Sequence, residues 1–103
     1  MNIETIQNGD QVRIVLQGIV DEKGAEELKQ QVARLNLDLV REVVIDCLAV
    51  RHIGSSGIGK MLLLYKKLST TGGAFSVVNL SGPMFELFTE LKLNTLFPVT
   101  QAI

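Results

Sequence analysis

The chain has 103 residues, one domain spanning 1–103 with no room for a second, and its 47% hydrophobic and 20% charged content is that of a folded protein. Ten basic against 11 acidic side chains, net charge −1, leave no basic excess to neutralise a phosphate backbone, so nucleic acid is not an expected partner. No apolar run reaches the length of a membrane span, and Met1-Asn2-Ile3-Glu4 has neither a basic leader nor an apolar signal core, so membrane insertion is not expected and a cytoplasmic, reducing location is the default.

Residues 4–7 and 12–17 flank Asn8-Gly9-Asp10, a strong turn signal, and Val12, Ile14 and Leu16 alternate with Arg13, Val15 and Gln17. This predicts an opening β-hairpin whose second strand is half-buried and ends at Gly18. Over 21–36, Ala25, Leu28, Val32 and Leu35 recur at helical spacing among charged residues, with Asp21 as cap or first-turn acid. Residues 37–39 are ambiguous and cover the way back to the sheet. Residues 42–48, apolar after Glu42 except for Asp46, predict a central strand buried on both faces, and 49–53 continue it into a loop.

A second helix starts at Ser55 or Ser56 and ends near 70–73, with Ile58, Met61, Leu62, Tyr65 and Leu68 inward and Gly72-Gly73 as the stop. Residues 74–80 predict another buried strand. Ser81-Gly82-Pro83 opens a third helix with Met84, Leu87, Phe88 and Leu91 on its apolar face. Leu93, Leu96 and Phe97 read as a packed tail, and 99–103 as an optional last strand. Strands alternating with helices after a hairpin imply an α/β fold: a mainly parallel sheet with about three helices packed on it.

The chemistry concentrates in Ile53-Gly54-Ser55-Ser56-Gly57-Ile58-Gly59, where two hydroxyls sit between a strand and a helix. Read from the residues alone, these serines are helix caps; both a cap and an outward hydroxyl coexist if Ser56 caps and Ser55 points outward. Gly54 is expected to free the backbone at the turn. Gly57 and Gly59 resemble a phosphate loop, but no Gly-Lys-Ser/Thr follows, so nucleotide binding has little support. His52 beside the serines lacks a nucleophile-elbow pattern and an orienting acid, so a small hydrolase using Ser55 and His52 is a weak alternative. Leu63 falls beside the inward stripe, as core edge or as part of an apolar contact patch with Ile58. Cys47, the one cysteine, reads as a buried structural thiol, and Asp46 as a carboxylate bonded to a neighbouring backbone or hydroxyl group.

The order of elements and the middle segment resemble the STAS domains, in particular the small stand-alone anti-sigma factor antagonists. The matching residues are Val43-Val44-Ile45-Asp46, the spacing to Ile53-Gly54-Ser55-Ser56-Gly57-Ile58-Gly59, Leu62 to Lys66, Gly72-Gly73, Val78-Asn79 and Leu93-Asn94-Thr95-Leu96-Phe97-Pro98. Upstream, Gly18-Ile19-Val20-Asp21 with Ala25-Glu26-Glu27-Leu28 resembles the family's strand-to-helix turn.

The resemblance implies a non-enzymatic module, without cofactor or metal, that binds an anti-sigma factor with serine-kinase activity and releases a sigma factor. It implies phosphorylation at Ser55, reset by a serine phosphatase, and a contact surface of Asp21, Gly54, Ser55, Ser56, Gly57 and Ile58. The family usually has an acidic residue immediately before the serine, whereas this sequence has Gly54. That departure keeps a second expectation open: a STAS adaptor subunit of a stress-signalling assembly or lipid-transport complex, without phosphorylation.

Overall fold

The alternation at the N-terminus forms the hairpin it predicts. In a computed structural model, which describes residues 1–103, β1 (Asn2–Asn8) and β2 (Gln11–Val20) pair antiparallel from Asn2↔Gln17 to Asn8↔Gln11. Gly9 closes the turn with φ 64°, the left-handed backbone that a two-residue hairpin loop requires. β2 buries Val12, Ile14 and Leu16 and exposes Arg13 and Gln17. Gly18 does not end the strand: it lies within β2 at φ 96°, beside a register irregularity, and pairing continues to Val20.

Helix α1 (Glu22–Ala33) is shorter than the predicted 21–36: Asp21 is its N-cap, its Oδ1 accepting the Gly24 N–H at 2.8 Å, and Arg34 is its C-cap. It buries Ala25, Leu28 and Val32. Leu37–Leu39 is a single 3₁₀ turn. Strand β3 (Glu42–Ile53) is longer than expected: residues 49–53 are strand paired with β2, not loop. Helix α2 (Ser55–Thr70), strand β4 (Ala74–Leu80), helix α3 (Gly82–Glu90) and strand β5 (Val99–Gln101) complete the order.

The end of α2 and the start of α3 follow their sequence signals. At the end of α2, Gly72 at φ 77° donates to the Ser69 carbonyl and Gly73 to the Leu68 carbonyl, pairing the last carbonyls of the helix. Ser81 caps α3, accepting from the Met84 N–H at 3.4 Å, with Pro83 in the first turn.

The sheet order is β1-β2-β3-β4-β5, with β2 to β5 parallel. Each crossover steps to the next strand in one direction, so the right-handed rule places all three helices on one face. Val43, Ile45 and Cys47 of β3 are buried, while Val44 is only half-buried. The expectation of a strand covered on both faces is therefore corrected: a short apolar run reads the same whether one layer covers it or two.

One core cluster of 22 buried residues lies between sheet and helices. It includes Leu64, which the sequence stripe missed; of that stripe Met61 and Leu68 are buried, and Ile58, Leu62 and Tyr65 pack half-buried at its edge. Leu91 and Leu96, expected inward, are 52% and 47% exposed, because α3 stops at Glu90 and the following turn faces only Leu93 and Phe97 inward. Phe97 anchors that tail, with ring centroids 5.4 Å from Tyr65 and 4.8 Å from Phe75, the latter edge-to-face. No helix is long and apolar enough to cross a membrane.

Candidate functional site

Pairing of β3 with β4 stops at Asp46↔Val78, whereas pairing of β2 with β3 runs on to Val20↔Ile53. The two strands therefore leave the sheet as a ribbon. At its tip the Gly54 N–H donates to the Val20 carbonyl at 2.9 Å, which brings the start of α1 at Asp21 next to the start of α2 at Gly54. Two motifs more than thirty residues apart in the chain are joined there.

The serines do not cap α2. Ser55 and Ser56 occupy its first two positions, both exposed, and the capping position belongs to Gly54, which has no side-chain acceptor. Ser55 is the first helical residue, one position past the cap. Gly54 adopts φ −80°, ψ 175°, an extended conformation open to any residue, and a Cβ there would meet only the Val20 carbonyl at 3.6 Å. The expected need for glycine flexibility at Gly54 is thus absent.

Gly57, expected on the contact surface, is buried instead. A Cβ there would lie 2.7 Å from Val20 Cγ1 and 2.9 Å from Ile53 Cγ2, so the missing side chain seats the first turn of α2 on the ribbon. Ile58 makes the first helical bond, to the Gly54 carbonyl at 3.1 Å, and packs half-buried against the core. α2 has no side-chain cap and no acidic residue in its own first turn, so its first N–H groups have no capping oxygen beside Ser55.

A groove of about 350 Å³ runs from this point between α1 and α2, walled by Glu22 and Glu26 on one side and Ser56, Gly59, Lys60 and Leu63 on the other. Leu63, 49% exposed, belongs to this wall rather than to the core. A wider hollow of about 560 Å³ on the ribbon's other side includes Asp21, Ile19 and Arg51. His52 is exposed on β3 opposite Ile19.

At the ribbon's base Asp46 is the one buried charged residue, 9% exposed. Its Oδ2 accepts from Arg13 Nε at 3.2 Å and Nη2 at 2.7 Å; its Oδ1 accepts from the Leu48 N–H at 3.0 Å and Asn79 Nδ2 at 3.1 Å. Burial acts to raise its pKa, but the Leu48, Asn79 and Arg13 donors outweigh it and hold the carboxyl below its ordinary value. Sequence reasoning anticipated a bonded carboxylate but not Arg13 or Asn79; the available signal was a lone charge in an apolar run and an arginine on the polar face of β2. Cys47 is buried, and burial with the neighbouring Asp46 charge pushes its thiol up to about 12, so it stays neutral. No three His, Cys, Asp or Glu side chains converge as a metal-binding group.

The family profile of the STAS domain matches residues 2–103. The chain belongs to the STAS family. Among related proteins, BtrV of Bordetella bronchiseptica, named as a candidate anti-sigma factor antagonist, is 30% identical over 87 residues, 84% of this chain and 75% of BtrV. The fold is shared with an anti-sigma factor antagonist from Mycobacterium paratuberculosis, at TM-score 0.83 and 24% identity over 96% of this chain and 84% of that one. It is also shared with the Bacillus cell-fate determinant SpoIIAA in its phosphorylated form, at TM-score 0.78 and 19% identity over 95% of this chain and 90% of that one. In this STAS domain the expected surface residues Asp21, Gly54, Ser55, Ser56 and Ile58 all gather at the ribbon tip, with Gly57 beneath them.

Proposed function

We propose that this STAS domain is an anti-sigma factor antagonist that docks its ribbon tip, Asp21 with Gly54 to Ile58, on an anti-sigma factor with serine-kinase activity, and that phosphorylation of Ser55 releases it. The observation that carries this reading is the exposed Ser55 hydroxyl at the first position of α2, with no capping role to occupy it. The name of BtrV and the phosphorylated form of SpoIIAA support it.

A phosphate adds about −1.5 to −2 charge and sits at a helix start, where negative charge is favourable, so the fold survives. The docked interface does not: a local loss of ~1.4 kcal/mol lowers affinity tenfold. In the test, wild-type and Ser55→Asp baits are used for affinity capture, and the captured kinase is incubated with ATP and wild-type or Ser55→Ala chain before mass spectrometry. The expected result is phosphate on wild type, none on Ser55→Ala, and weakened capture by Ser55→Asp. Equal phosphate on Ser55→Ala, or none on wild type, removes the switch.

Gly54 favours a second reading, an adaptor in a stress-signalling or lipid-transport assembly, because no acidic residue immediately precedes Ser55 in the chain. Its signature is equal capture of one partner by wild type and Ser55→Asp, with no phosphotransfer.

A further inference from the structure

Between the pairs Val15↔Asp46 and Val20↔Ile53, β3 carries more residues than β2, and the excess is taken up at two register shifts. The first begins directly after Asp46, where β3 also parts from β4. Bulges of this kind bend a strand and increase its twist, so they decide where the strand's end points. Beyond Asp46, the ribbon's course is set by how the first bulge is held.

One carboxylate holds it. Asp46 Oδ1 takes the N–H of Leu48, inside the bulge, and also Nδ2 of Asn79 on β4, while Oδ2 takes both Arg13 bonds from β2. Three neighbouring strands are thus tied to one side chain at the point where β4 parts from the β2–β3 ribbon. Asn79 reaches it from a left-handed backbone, φ 62°, a conformation in which a non-glycine residue is uncommon and asparagine is among the most tolerant. The Arg13 end of this ion pair is 45% exposed, and a pair open to solvent contributes little net stability. What this one supplies, and an apolar side chain of equal size does not, is a direction for the bulge.

We propose that Asp46 is a positioning residue: through Arg13, Asn79 and the Leu48 N–H it sets the pose of the ribbon tip that carries Asp21 and Ser55. With the reading of Ser55 as phosphoacceptor, on which its functional meaning rests, Asp46 governs how that hydroxyl is presented to the kinase without touching it.

The experiment is amide NMR and native-state hydrogen exchange on the full chain, wild type against Asp46→Asn and Asn79→Gly. Glycine retains the left-handed backbone at position 79 while deleting one arm of the clamp, so it decides the question if Asp46→Asn fails to fold. The expected result is displaced resonances for Asp21, Gly54, Ser55 and Ser56, and exchange of the Gly54 amide quickened about tenfold, equivalent to ~1.4 kcal/mol. The amides of Val77 and Phe88 keep their wild-type resonances, which a merely loosened core would not permit. Changes confined to residues 13, 46–48 and 79, with the tip unmoved, overturn the proposal. Tip displacement together with no phosphate on wild-type Ser55 would sustain Asp46's control of the tip and refute the phosphoacceptor reading alone.

Discussion

Gly57 and Gly59 stand two positions apart in α2 and are opposite in their physics. At Gly57 a methyl group meets Val20 Cγ1 and Ile53 Cγ2 inside 3.0 Å, both on stiff β-branched side chains; at Gly59 it meets nothing within 4 Å. Gly57→Ala is therefore expected to destabilise by ~1–3 kcal/mol through overpacking, and Gly59→Ala to stabilise by up to ~1 kcal/mol through helix propensity. Denaturant midpoints check both, and equal shifts for the two variants would contradict the packing assignment. Cys47 offers a second residue-level test. Its folded pKa of about 12 exceeds the ~8.5 of an unfolded cysteine, so above ~8.5 the unfolded chain loses its proton first and stability falls as pH rises toward the folded value. Native protein should resist a thiol reagent that labels it rapidly in denaturant; rapid native labelling would place the thiol outside the core.

At the scale of elements, α2 is the helix with an open start. Asp21 and Ser81 cap α1 and α3 with side-chain oxygens, whereas Gly54 brings none to α2. Gly54→Asp fits the observed extended backbone and supplies an acceptor and a favourable charge, so it is expected to stabilise by a few tenths to ~1 kcal/mol. Thermal unfolding measures this, and an unchanged or lowered midpoint would count against an uncapped start. The same substitution restores the acidic neighbour that the family resemblance expects before Ser55, so phosphotransfer rates on the two chains separate its role in capping from a role in phosphorylation. The serine motif itself was legible, since hydroxyls between an apolar strand and an amphipathic helix mark a junction. Its division of labour was not: serine is the commoner cap, and the shift of one residue that hands the cap to Gly54 follows from the Gly54 N–H bond to Val20 on another strand.

For the whole molecule, the Asp46 clamp ties stability to pH. Its folded pKa lies below the ~3.9 of an unfolded aspartate, so its contribution is present above that value and is lost as pH falls through the folded pKa. Urea unfolding of wild type and Asp46→Asn should differ at neutral pH and converge in acid; a constant difference down to the lowest pH would show that the carboxylate's charge is not what matters. The chain's own order of residues determined the elements, the opening hairpin, the helix starts near Asp21 and at Ser81-Gly82-Pro83, the glycine stop after α2 and the hydroxyl pair at the strand-to-helix junction, because alternation, helical spacing and turn signals are each written within a few consecutive residues. Tertiary structure alone decided which face of β3 is covered, that residues 49–53 form a ribbon, that Gly57 is a seat rather than a contact, and that Leu64 and the Tyr65–Phe75–Phe97 cluster complete the core. It also joined Asp46 to Arg13 and to Asn79, each 33 residues away. Contacts at that separation depend on strand order and register, which no local pattern encodes.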